Sequence, residues 1–173
     1  MTSPAVATST GPRRRRWPTA LVAVLVLAAL AALAVSALQL RGVDSRKEDR
    51  DELLGTARQA AVAFTSYDHA DLDTSFAAVL ALATDDFSRQ FTAASGQLRP
   101  IITEKKATAR GEVLGVGVER YEQDEDTATV LVATDATVTN AEFPDGALQR
   151  FRLRVTLERG SSGWRVDEIT PVV

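Results

Sequence analysis

One stretch of this chain constrains it more than any other. From Thr19 to Leu40 every residue is apolar except Thr19, Ser36 and Gln39. About 20 helical residues at roughly 1.5 Å each span a hydrocarbon layer of about 30 Å. A water-soluble helix has no reason to be apolar all round. The expected architecture is therefore a basic tail over 1–17, a transmembrane helix over 18–40 and a folded domain over 41–173. Trp17 lies at one end of the span and Leu40 and Arg41 at the other, an aromatic and a snorkelling cation at the two interfaces. A cleaved signal peptide is the competing reading, since Arg13 to Arg16 form a charged leader and Val35, Ser36 and Ala37 supply small residues for cleavage. The apolar run exceeds the 7 to 15 residues usual in a signal core, which favours a retained anchor.

Orientation rests on the flanking cations. Arg13 to Arg16 precede the span, and Arg41, Arg46, Lys47 and Arg50 follow it, so the two sides tie by number. The compact arginine cluster abuts the membrane and the short tail is the easier end to retain. The N-terminus is accordingly placed in the cytoplasm and the domain outside, as a single-pass protein of the plasma membrane. The domain is acidic: all 23 acidic residues lie beyond Leu40 against 16 of the 20 basic ones, a net charge of minus seven. Such a charge opposes the counterion-release term that drives nucleic-acid binding, so no nucleic-acid partner is expected. The absence of cysteine removes disulfides, thiolate nucleophiles and sulfur metal sites.

Within the domain, helical periodicity comes first. Ser45 and Glu48 form a capping box, and Leu53, Ala57, Ala61 and Phe64 share one helical face. Leu72, Phe76, Val79, Leu80 and Ala83 mark a second helix. Thr84 caps a third, with Asp85 and Asp86 in its first turn, Phe87, Phe91, Ala94 and Leu98 buried, and Pro100 kinking or ending it. After Lys106 the period becomes two. Strands are expected around Leu114 to Val118, Ala128 to Val138, Phe151 to Leu157, and Trp164 to Ile169. The breaks at Gln123 to Asp126, Asn140 to Gly146 and Gly160 to Gly163 carry hairpin residues, and the Gly115-Val116-Gly117 run reads as a bend or bulge. The sum is an α+β domain with about three helices packed on a curved, four-stranded antiparallel sheet.

Several segments, in this order, carry a family resemblance: Phe64-Thr65-Ser66-Tyr67-Asp68 with Asp71-Leu72-Asp73, then Thr84-Asp85-Asp86-Phe87 with Phe91, and the ending Gly163-Trp164-Arg165-Val166-Asp167-Glu168-Ile169-Thr170-Pro171-Val172. From about residue 45 to the end the chain resembles the Mce-associated membrane proteins of actinobacteria. That resemblance implies an NTF2-like, SnoaL-like cone, and a role as an accessory subunit of an Mce-type lipid import complex rather than as an enzyme. It implies protein partners in that complex and no cofactor.

The residues themselves name no catalytic, cofactor or metal site. His69 is the sole histidine and sits in a polar break beside Asp68 and Asp71, without a serine or cysteine motif. Asp68, Asp71 and Asp73 lack the glycine and terminal glutamate of a calcium loop, so turn and cap roles are expected. Glu119 and Asp135 are the strand acids that a catalytic cone would use. Arg150, Arg152 and Arg154 project from one face of one strand. Pairing with acids such as Glu119 or Asp167 is the plain account of that row, and a partner-binding face is the other. A small-ligand binder or isomerase-like protein, and an envelope adaptor unrelated to lipid import, remain the alternative functions. The anchor is checked by intact-mass measurement of membrane-extracted protein, which should include Trp17 to Leu40; a mature N-terminus at Leu38 would show cleavage. Protease added to intact spheroplasts should digest the domain.

Overall fold

The computed structural model describes residues 46–122 and 126–172. The first helix, α1, runs through residues 46 to 65. It is followed by β1 (Tyr67–Asp68), α2 (Leu72–Leu80), α3 (Asp85–Lys105), β2 (Thr108–Glu122), β3 (Thr127–Thr139), β4 (Ala147–Gly160) and β5 (Gly163–Pro171). The strands form one antiparallel sheet in the order β1-β2-β3-β4-β5. The sheet thus has five strands, not four. The extra one pairs only Tyr67 with Ala109 and Asp68 with Thr108, and two residues are too few to show an alternating pattern. Among the described residues no helix is long and apolar enough to cross a membrane. The expected tail, the span over 18–40 and its bracketing Trp17, Leu40 and Arg41 lie outside the described residues, as do Ser45 of the capping box and 123–125 of the acidic hairpin tip.

Helices α2 and α3 begin where their caps dictate. Asp71 caps α2 by accepting the Thr74 amide, and Thr84 caps α3 by accepting the Phe87 amide. Helix α3 does not stop at Pro100 but continues to Lys105. Gly96 and Pro100 are both exposed, so water is able to satisfy the carbonyl that the missing amide leaves open. The helix ends instead at Lys106 in the left-handed conformation, φ 48°. Its amide reaches the Thr103 carbonyl at 3.2 Å while the Ala107 amide reaches that of Ile102 at 3.0 Å, a Schellman pair. Leu98, expected in the core, is half exposed, and Ser95 rather than Ala94 is buried. The apolar stripe continues in sequence, but nothing described covers its distal part.

The core lies between the helices and the inner face of the sheet. Val130, Val132, Leu153, Val155, Leu157, Trp164 and Val166 meet Leu53, Ala57, Ala60, Ala61, Val79, Ala83 and Phe87. Strands β3 and β4 keep strict alternation. Strand β2 is bulged: the register skips Leu114 and again Glu119. Leu114, expected on the buried face, is consequently exposed, and Val113, Val116 and Val118 pack inward. A third skip, at Asp167, lets Ile169 rather than Glu168 reach the core. Phe91 joins the three helices, its ring centre lying 6.4 Å from Phe64, 5.7 Å from Phe76 and 6.0 Å from Phe87.

The C-terminal end of α1 touches the sheet at Gly111. A methyl group there would lie 1.9 Å from Thr65 Oγ1 and 2.9 Å from Thr65 Cβ, while the Gly111 amide donates to Ser66 Oγ at 2.9 Å. Backbone and helix meet with no room for a side chain. Gly111→Ala should therefore destabilise the chain by about 1–3 kcal/mol through overpacking. Gly117→Ala, with open space around its Cβ, should change stability by no more than about 0.5 kcal/mol. Chemical denaturation of the two variants in parallel measures the difference.

Candidate interaction surfaces

The space between the helices and the inner face of the sheet is packed by the apolar side chains named above. Thr134, fully buried on that face, satisfies its hydroxyl on the Glu112 carbonyl at 2.8 Å. The two acids a catalytic cone would use face the other way. Glu119, the extra residue of the second β2 bulge, accepts two hydrogen bonds from Arg154, at 2.7 and 3.0 Å. That pairing holds its carboxyl below the usual carboxylate range. Asp135 stands in register between Glu112 and Arg150, and its Oδ1 is shielded from solvent without a hydrogen-bond partner in the structure.

The arginine row is consequently divided. Arg154 makes the expected pair with Glu119. Asp167, the other expected partner, instead accepts the Thr84 hydroxyl at 3.0 Å and ties the start of α3 to β5. Arg150 and Arg152 are exposed and form no ion pair among the described residues, Arg152 donating only to the neighbouring Phe151 carbonyl. Between Arg152 and β2 lies a trough of about 370 Å³ on the sheet, floored by Gly115, Gly117 and Ala133.

The aspartates around His69 serve the local turns. Asp68 accepts the Ala70 amide at 2.9 Å, Asp71 caps α2, and Asp73 pairs with Arg99 at 2.8 Å. His69 is half-buried rather than exposed, with Nδ1 3.2 Å from Thr108 Oγ1 and 3.5 Å from Asp68. No group of three or more His, Cys, Asp or Glu side chains converges as a metal site would require, among the described residues.

Two features have no counterpart in the sequence reading. Asp49, in the first described turn of α1, accepts from Arg159, from the Tyr121 hydroxyl and from Trp164 Nε1, the last at 3.0 Å. The Arg159 guanidinium also lies over the Trp164 ring at 5.4 Å. This latch fastens α1 to β2, β4 and β5. Its partners are 72, 110 and 115 residues away along the chain, beyond any local pattern. The second feature is an open groove of about 720 Å³ bounded by α1, α2 and the β1–β2 edge. Arg58, Val62, Tyr67, Asp68, Ala78 and Arg110 are among the residues lining it. Burial raises the Tyr67 phenol above its ordinary value, keeping it a neutral donor.

A helical layer on the inner face of an antiparallel sheet, with an apolar core between them, defines a small α+β domain. Residues 17–170 match the family described as "Uncharacterized protein Rv1363c/MT1408-like", and the chain belongs to that family. It is 25% identical over 120 residues to the uncharacterized protein Rv1362c of Mycobacterium tuberculosis, covering 69% of this chain and 54% of that one. The chain therefore spans about half the length of the curated relatives it matches. Among solved structures, the periplasmic domain of DotI superposes with a TM-score of 0.60 at 17% identity, over 69% of this chain and 92% of that domain. CagV of Helicobacter pylori, a VirB8 homolog of a type IV secretion system, gives 0.57 at 9% identity, over 70% and 97%. At these identities the likeness is one of fold.

The latch has a spectroscopic signature. The hydrogen bond to Asp49 holds the Tyr121 phenol above its ordinary value. That contribution to stability is present below about pH 10, the unfolded value, and is lost as pH rises through the folded one. The chain has two tyrosines. In an alkaline absorbance titration, Asp49→Asn should lower one phenol, that of Tyr121, and leave Tyr67 in place. Asp49→Ala, which strands the indole and guanidinium donors, should cost about 1–3 kcal/mol in thermal or denaturant unfolding.

Proposed function

We propose that this chain is a non-catalytic, membrane-anchored accessory subunit that stabilises or assembles an Mce-type lipid import complex in the cell envelope. The observation that carries this reading is that, among the described residues, no acid of the core or the groove is left poised as a base. Leu53, Ala57, Val130, Val132, Leu153 and Val155 pack the space between the helices and the sheet. Asp68 and Asp71, which line the open groove beside it, are taken up by the Ala70 amide, the Thr108 hydroxyl and the Thr74 amide. Glu119 and Asp135 lie on the opposite face, Glu119 paired with Arg154 and Asp135 in register with Arg150. What the domain offers outward is surface, and the part of the arginine row not used internally, Arg150 and Arg152, is the face assigned to protein partners.

Two further points support the reading. The apolar segment expected to anchor the chain in the plasma membrane falls inside the range that matches the family, 17–170. The structural neighbours include the periplasmic domain of DotI and CagV, a VirB8 homolog of a type IV secretion system, and the first favours an extracytoplasmic domain behind a cytoplasmic N-terminus. The same likeness favours a second reading, an adaptor in an envelope assembly unrelated to lipid import. The identity of the co-purifying subunits separates the two, and neither reading calls for a cofactor.

Arg150→Gln with Arg152→Gln leaves the Arg154–Glu119 pair and the core untouched and sets no new acid beside Asp135. The variant should keep its circular dichroism spectrum and melting behaviour. Its recovery of partner subunits from native membranes should fall about tenfold or more, corresponding to roughly 1.4 kcal/mol of lost contact. Full recovery of the complex would reject this face as the contact.

A further inference from the structure

We infer that the groove between α1, α2 and the β1–β2 edge is a binding site for an anionic amphiphile, a molecule with a carboxylate or phosphate head and an acyl tail. The inference goes beyond the assembly role, and its failure would leave partner recovery unchanged. At about 720 Å³ the groove has the size of a small-molecule site. Its apolar lining comes from Val62 and Ala63 of α1, Ala78 of α2 and Val113 of β2. Val62 is 38% exposed, apolar surface that the described fold leaves uncovered.

The groove lining carries two cations, Arg58 and Arg110, and two anions, Asp68 and Asp71, and what distinguishes them is which have their hydrogen-bonding groups already taken. Arg58 and Arg110 both line the groove, and neither has a carboxylate partner among the described residues. The two acids that share the lining are already engaged. Asp68 accepts the Ala70 amide and the Thr108 hydroxyl, and Asp71 caps α2 through the Thr74 amide. Two planar guanidiniums left over beside an apolar wall suit a carboxylate or phosphate head, each of which takes paired N–H donors. The Tyr67 hydroxyl supplies a neutral donor in the same lining. An uncharged lipid would leave the guanidiniums unmatched, and a free anion would leave the apolar wall uncovered.

The test uses the full chain in its native membrane and a diazirine-bearing palmitate, with the labelled peptides mapped by mass spectrometry. Labelling is expected on the peptides that carry Val62 or Ala78. Palmitate should compete and its methyl ester should not. Stronger competition by lysophosphatidate assigns a phosphate head, and stronger competition by palmitate a carboxylate head. Arg58→Gln with Arg110→Gln should reduce groove labelling about tenfold. Ala78→Trp, which fills the groove without changing its charge, should abolish labelling by a separate route. Arg89→Gln, on the exposed side of α3 and outside the groove, should leave labelling as in the parent. Labelling confined to peptides from 19–40, equal competition by the methyl ester, or groove labelling that survives both the double glutamine variant and Ala78→Trp would overturn the assignment.

Discussion

The approach of α1 to the sheet is the contact on which the rest of the domain depends. Its buried stripe is mostly alanine, at 57, 60 and 61, with Leu53 the one large member. Small residues let the helix axis lie close to the strands, and the valines and leucines of β3 and β4 fill the space that remains. At the far end the approach is so close that only glycine fits at 111. At the near end Asp49 gathers a guanidinium, a phenol and an indole from three strands. Fixed at both ends, α1 presents one face to the core and turns Arg58 and Val62 towards the groove.

The three bulges distribute chemistry over the surface. A strand that alternates without interruption sends every second residue to the same face. An inserted residue breaks that rule and re-aims a side chain. Leu114 is thereby turned to solvent, Glu119 to Arg154, and Asp167 to Thr84. The last of these matters for the helical layer, because it ties the cap of α3 to the sheet. The Arg154–Glu119 pair is exposed and salt-screened, so its consequence is positional: it removes one arginine from the row and leaves Arg150 and Arg152 as the open cations.

An apolar core between the helices and the sheet leaves the groove and the outer sheet face as the surfaces open to other molecules. The groove lies on the helical side, and the arginine-flanked trough lies on the sheet. An assembly subunit that also holds an amphiphile would use both at once, since nothing on one surface obstructs the other. The anchor expected over 18–40 would keep such a domain near the membrane, where amphiphilic molecules are concentrated.

The helices and the main strands were legible in the chain itself. Caps at Asp71 and Thr84, the stripe through Leu53, Ala57 and Ala61, and the alternation from Ala128 to Val138 and from Phe151 to Leu157 are local patterns, and local patterns survive folding. The apolar length of 19–40 is another property of sequence alone, as is the acidity that disfavours nucleic acid. The two-residue β1, the exposure of Leu114 and Leu98, the passage of α3 through Pro100, the Asp49 latch and the placing of Arg58 and Arg110 along one groove were decided only in three dimensions. Each depends on which distant segment lies alongside, and a linear pattern carries no record of partners 50 to 115 residues away.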